Sequence, residues 1–95
     1  MFYVYILLSK RNNKFYIGFT KDLKRRRKEH SNGLVESTKN RRPLLLIYYE
    51  AYLKTEDAQA REKFFKTTKG KMQLRKQLNN SLSENTPDLF CPKLC

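Results

Sequence analysis

The side chains with the most chemistry to offer are two tyrosines near the N-terminus, an arginine, the single histidine and one glutamate of the second half. Period-two alternation through Phe2-Tyr3-Val4-Tyr5-Ile6-Leu7-Leu8 puts Tyr3 and Tyr5 on one face of a strand and Phe2, Val4, Ile6 and Leu8 on the other. In Phe15-Tyr16-Ile17-Gly18, Tyr16 and Gly18 likewise oppose Phe15 and Ile17. Arg26 and His30 are four apart, so a helix stacks them on one side. With the tyrosine face turned toward that helix, Tyr5, Tyr16, Arg26 and His30 share one space. Glu62, on the inner side of a later helix beside Ala58 and Phe65, closes it from a third direction. Phenol, imidazole and carboxylate move protons, and a guanidinium is a fixed cation, so the set suits acid–base chemistry on an anionic substrate. Each residue also has a plainer reading. The tyrosines could be packing residues, Arg26 one base in a solvated run, and His30 a helix-end histidine favoured by the dipole. Glu62 stands four residues before Lys66, the favourable order for a surface ion pair.

The elements that must position these groups are legible in outline. Residues 2–8 and 14–20 are rich in aromatic and β-branched side chains and flank a polar turn, which predicts a hairpin. Lys21 to Asn32 holds straight-chain helix formers and ends at Asn32-Gly33, a left-handed helix stop. Leu23 is its only large apolar residue, so most of this helix faces water or a ligand. Leu44 to Glu50 predicts a third strand. Thr55 then caps a second helix reaching about Thr68, with Glu56 and Asp57 complementing its dipole, and Gly70 separates it from a last helix, Lys71 to Leu78. The order β-β-α-β-α-α predicts an α+β fold, a small three-stranded antiparallel sheet flanked by helices. Phe64 and Phe65 read as core. Tyr48, Tyr49 and Tyr52 read as packing residues first and as stacking platforms for unpaired bases second.

Composition narrows the partners. The chain has 95 residues and a net charge of +12, and residues 1–80 carry 20 of the 21 bases against 7 of the 9 acids. The charge peaks at Lys21, Lys24, Arg25, Arg26, Arg27 and Lys28 and again at Lys39, Arg41 and Arg42. Such density attracts polyanions through counterion release, so these bases are expected to contact nucleic-acid phosphates, DNA first, without reading sequence. No apolar run approaches the roughly 20 residues needed to span a bilayer, and the first run reads as a strand and not a secretion signal, which predicts a cytoplasmic, nucleoid-associated protein. The domain is expected to cover residues 1–80. Residues 81–95, turn-prone and without periodicity, read as a flexible tail carrying Cys91 and Cys95 as reduced thiols.

The string Tyr3-Val4-Tyr5, Tyr16-Ile17-Gly18, Arg26, His30 and Glu62 resembles the GIY-YIG nuclease domain. More narrowly, YVYILLSK, FYIGFTKDLKRRRKEHSNG, STKNRRPLLLIYYEA and DAQAREKFFKTTKGK resemble its small stand-alone bacterial members, akin to the N-terminal domain of the excision-repair nuclease subunit. The resemblance implies an endonuclease of little sequence specificity that hydrolyses DNA phosphodiesters with Mg²⁺ or Mn²⁺, in repair or recombination. It implies Tyr5 as general base, Tyr16 positioning the water or sharing that work, Arg26 stabilising phosphoryl charge, and Glu62 as metal ligand. A phenol with pKa near 10 must then be shifted toward phenolate by Arg26 and the metal, with His30 able to accept its proton. The first motif lacks the Gly and Ile that name it, and Phe19 stands where some members place a lysine near the active site. A non-catalytic nucleic-acid-binding module with the same basic surface is the alternative. A protein partner or a second copy is compatible with the chain, and no heptad demands one.

Overall fold

The structure, a computed structural model, describes residues 1–83. β1 (Phe2–Ser9) and β2 (Phe15–Thr20) form the expected hairpin, and β3 (Leu44–Tyr52) pairs with the other side of β1, giving an antiparallel sheet in the order β2-β1-β3. Helix α1 (Leu23–Ser31) and a 3₁₀ turn at Lys39–Arg41 lie between β2 and β3. Helices α2 (Thr55–Phe65), α3 (Thr68–Gln77) and α4 (Asn79–Ser83) follow the sheet. The fold is α+β, with the predicted order of strands and helices.

Alternation along the strands divides the sheet into two chemically different faces. Val4, Ile6, Leu8, Phe15 and Ile17 pack against Ala58 and Phe65 of α2, Leu74 of α3, and Leu78. Burying each of the larger of these side chains stabilises the fold by about 1.5–3 kcal/mol. Phe19 stacks on Phe2 on this same face, ring centroids 6.0 Å apart, so the side chain after Gly18 is directed away from the tyrosines. The opposite face carries Tyr3, Tyr5, Leu7 and Tyr16 and is closed by α1 and by the buried Val35 and Thr38. β1, the central strand, is therefore buried continuously from Val4 to Ser9.

Local structure departs from expectation at the helix ends. α1 begins at Leu23 and not at Lys21, because the Asp22 carboxylate caps it by accepting the Arg25 N–H at 3.1 Å. It stops as expected, with Gly33 at φ +74°. Thr55, expected as a cap, is the first residue of α2, and Lys54 holds the cap position without a side-chain bond. Gly70 does not separate two helices. Thr67 does so, its Oγ1 accepting the Gly70 N–H at 3.0 Å, and α2 ends at Phe65 instead of near Thr68. Gly70 lies buried inside α3, where a Cβ would overlap the Phe64 carbonyl, so its smallness serves the close approach of α3 to the end of α2. α4 carries regular structure past the expected boundary near Asn80, and Leu82 packs on the core. The rest of the expected tail, with Cys91 and Cys95, lies outside the described residues.

Candidate active site

Tyr5 sits opposite Gly18 in the β1–β2 ladder. Its ring lies directly over that glycine, where any Cβ would overlap the phenol carbon and hydroxyl. This close approach explains a glycine in the middle of a strand, otherwise a weakening choice. The Tyr5 hydroxyl meets Nε2 of His30 at 2.9 Å, and Nδ1 of His30 meets Thr38 Oγ1 at 2.7 Å. Arg26 faces the same hydroxyl, and its charge favours ionisation of the phenol. In the tautomer that carries its N–H on Nδ1, His30 donates to Thr38 and accepts the phenolic proton at Nε2. Tyr16 completes the cluster, its ring centroid 5.0 Å from that of His30 and 6.4 Å from that of Tyr5. Thus β1, β2 and α1 bring Tyr5, Tyr16, Arg26 and His30 together. Tyr5 and His30 are each 1% exposed, whereas Tyr16 is half-buried at the mouth.

Burial dominates the electrostatics. It pushes the Tyr5 phenol up to about 12, against the opposing influence of Arg26 and with help from the charges of Tyr16 and Glu62. The expected shift toward phenolate is therefore reversed in the chain by itself, because one guanidinium does not offset the desolvation of a phenolate. Burial and then the Arg26 charge push the His30 imidazole down to about 4, so it is neutral at pH 7, with one nitrogen open to accept a hydrogen bond but weakly basic.

Glu62 approaches from α2, half-buried, and pairs with Lys66 at 3.1 Å. It borders an open groove of about 470 Å³ with Glu56, Gln59, Ala60 and Lys63. Among the described residues, no three His, Cys, Asp or Glu side chains gather as a metal cage. Hard carboxylates in an open groove do fit a hydrated Mg²⁺ or Mn²⁺, which takes one or two protein oxygens and completes its shell with water and phosphate. They do not fit a closed four-ligand centre.

The basic residues divide into two groups. Lys21, Lys24, Arg25, Arg27 and Lys28 lie along or just before α1; Arg25 and Arg26 also reach Glu29, at 3.7 and 3.0 Å. Lys39 pairs with Glu36 at 3.3 Å. Arg41 and Arg42, expected only as phosphate contacts, have structural partners. Arg41 donates to the Phe15 carbonyl at 3.2 Å and lies over the Tyr16 ring, and Arg42 donates to the Lys39 and Ser31 carbonyls at 3.0 and 3.4 Å. The structure adds three bases that sequence reasoning missed. Lys14, Lys71 and Arg75 join Phe15 and Arg41, whose guanidinium also lies over Tyr16, around a cleft of about 430 Å³. They come from the turn before β2 and from α3, so no window of sequence shows them together; the i, i+4 spacing of Lys71 and Arg75 is the one trace.

The tyrosines of β3 separate by face. Tyr48 and Tyr52 each donate to the Glu50 carboxylate at 2.5 Å, and Arg61 of α2 clamps the same carboxylate at 3.0 and 3.3 Å. Burial raises the Glu50 carboxyl, but these hydrogen bonds hold it below the ordinary range. Tyr49 points to the Tyr3 side and is 52% exposed.

This arrangement matches known proteins along nearly all of its described length. A family model described as the GIY-YIG catalytic domain matches residues 1–77. The chain is 40% identical over 77 residues to the UPF0213 protein CPE1444 of Clostridium perfringens, covering 78% of this chain and 82% of that one. It is 35% identical to a UPF0213 protein of Limosilactobacillus reuteri, covering 94% and 90%. The solution NMR structure of the UPF0213 protein BH0048 from Bacillus halodurans matches with a TM-score of 0.52 at 34% identity, covering 81% of this chain and 85% of that one. No helix among the described residues is long and apolar enough to cross a membrane. Tyr5 and Tyr16 on paired strands, Arg26 and His30 on the helix behind them and a match over residues 1–77 lead to one conclusion: the chain belongs to the GIY-YIG family.

Proposed function

We propose that this chain is a metal-dependent endonuclease that hydrolyses phosphodiester bonds of DNA with little sequence specificity, in repair or recombination. The observation that carries the reading is the Tyr5 hydroxyl bonded to neutral His30 at 2.9 Å, with Arg26 and Tyr16 facing it beside an open basic surface. Tyr16, at the mouth, holds the attacking water. Tyr5 takes that water's proton as its own proton passes to Nε2 of His30, so no free phenolate has to persist in a site that disfavours it. The oxygen of the water then bonds to phosphorus as the bond to the leaving oxygen breaks, and that oxygen is protonated from solvent. The imidazolium, formed on a group with pKa near 4, returns its proton through Tyr5. Arg26 faces the same space and neutralises charge on the non-bridging oxygens, a contribution of a few kcal/mol in comparable sites. Glu62 would hold the Mg²⁺ or Mn²⁺, which when bound supplies Lewis-acid stabilisation of the phosphoryl oxygens. The bases at positions 21, 24, 25, 27, 28, 39, 41 and 42 hold the strand through its phosphates, and Lys14, Lys71 and Arg75 extend that hold past Tyr16. The nuclease domain takes in residues 1–80 and continues through α4.

The test is cleavage of labelled duplex, flap and single-stranded DNA in Mg²⁺ or Mn²⁺ by the native protein, Tyr5→Phe, Tyr16→Phe and Glu62→Ala, with a chelator control and binding measured in parallel. Cleavage lost in Tyr5→Phe, Glu62→Ala and chelator while binding persists is the expected result. Salt-sensitive binding without cleavage in any tube would replace the enzyme by a non-catalytic binding module.

A further inference from the structure

The tyrosine face does not end at the reactive cluster. Beyond Tyr5, toward the start of β1, a groove of about 440 Å³ runs between α1 and β3, lined by Tyr3, Leu23, Leu46 and Tyr49 with Lys21, Asp22, Lys24 and Arg27 along its rim. The Tyr3 and Tyr49 rings meet edge to face, centroids 6.1 Å apart at 64°, and Tyr49 remains 52% exposed. Its fate differs from that of Tyr48 and Tyr52 on the same strand, whose hydroxyls are tied to Glu50. A half-exposed aromatic wall with two leucines is a poor surface for water, and three cations against one acid are a poor surface for an apolar peptide. Together they suit a flat aromatic ring that carries a phosphate.

We propose that this groove holds an unpaired nucleobase of the strand being cut, stacked on Tyr49 and Tyr3, with its phosphate under Lys24 and Arg27. The inference rests on the nuclease reading and adds the substrate class: single-stranded or splayed nucleotides over intact duplex. Spacing agrees. Tyr3 is two residues from Tyr5 on β1, roughly 6.6 Å along a strand, about one nucleotide step from the reactive phenol. Tyr49 is the β3 partner of Tyr5 itself. A base still paired in a duplex does not fit a groove walled by a helix on one side and a sheet on the other. Stacking tolerates any base, which agrees with a surface that reads no sequence.

The decisive measurement separates bases from phosphates and is made in chelator, where no cutting intervenes. Fluorescence anisotropy compares an oligothymidylate with an abasic strand of equal length and charge, and an oligouridylate arm tells DNA from RNA as the source of the base. The native protein is expected to bind the base-bearing strand about tenfold more tightly than the abasic one. Tyr49→Ala is expected to abolish that preference while keeping the salt dependence, and Tyr49→Phe to retain it. Circular dichroism of Tyr49→Ala checks the fold. Equal affinity of the native protein for both strands, an unchanged preference in folded Tyr49→Ala, or no binding to either strand overturns the inference. A preference for bases without cleavage in Mg²⁺ would leave the groove standing and remove only the nuclease reading.

Discussion

Two clusters on opposite faces of the same sheet are built from nearly the same side chains. One holds Tyr48, Tyr52, Glu50 and Arg61, and the other Tyr5, Tyr16, Arg26 and His30, with Glu62 of α2 acting on Tyr5 through its charge alone. In the first, the carboxylate receives two phenols and both arms of the guanidinium, which stacks over Phe65 at 4.3 Å. All its strong donors and acceptors meet one another. In the second, the arginine and the carboxylate are kept apart, Arg26 reaching Glu29 and Glu62 reaching Lys66, and the phenol faces an uncharged base. Tyrosine, arginine and glutamate therefore do not announce a reactive site by their presence. Cross-pairing turns them into a clamp, and separation leaves each with capacity for a substrate.

The largest expected effect sets the two glutamates against each other. Glu62→Gln is expected to lower cleavage about 10³-fold, roughly 4 kcal/mol of barrier, while leaving the urea midpoint unchanged. Comparable loss of stability with full activity per folded molecule would assign Glu62 to the clamp class. Next comes pH. The His30 pKa near 4 lies below the ordinary 6.5, so between those values the unfolded chain binds the extra proton and stability falls as pH falls. The loss is about 3 kcal/mol between pH 7 and pH 4. Urea titrations of native protein and His30→Gln at several pH values isolate it, because the variant should lack that part of the slope.

Arg61→Met acts on the other cluster. It leaves Glu50 with two phenols and no cation, and is expected to destabilise the fold by about 2 kcal/mol, a fall in Tm of roughly 10 °C, with cleavage per folded molecule unaltered. Reduced activity in the folded fraction would join the two clusters functionally. The smallest effect is that of Lys66→Met, which frees Glu62 from an exposed partner. Stability should move by no more than a few tenths of a kcal/mol and cleavage by less than about twofold. A larger rise in activity would show that Lys66 restrains the carboxylate.

The contrast also marks how far sequence could be read. Strand alternation was enough to place Tyr5 and Tyr16 on one face, and i, i+4 spacing to add Arg26 and His30, because both are local periodicities. The Glu50 clamp was not legible, since it joins β3 to a residue eleven positions later on α2. Glu62 and Arg61 are neighbours on that helix, and only the packing of α2 decides which of them meets Glu50. The role of Gly70 was misread for a similar reason. Its smallness answers the Phe64 carbonyl across a helix junction, and glycine as a helix breaker is indistinguishable in sequence from glycine as a contact. The direction of the Tyr5 shift depends on depth of burial, which no spacing reveals.

The ring of Tyr5 occupies the volume that a side chain at position 18 would need. In evolutionary terms the two positions form one heritable unit. Selection for a hydroxyl at position 5 is at the same time selection against every side chain at position 18, although that glycine has no group with which to touch a substrate. A lineage that gave up the aromatic ring would be free to fill position 18, so a bulky residue there in a descendant would report the loss of that ring on the neighbouring strand.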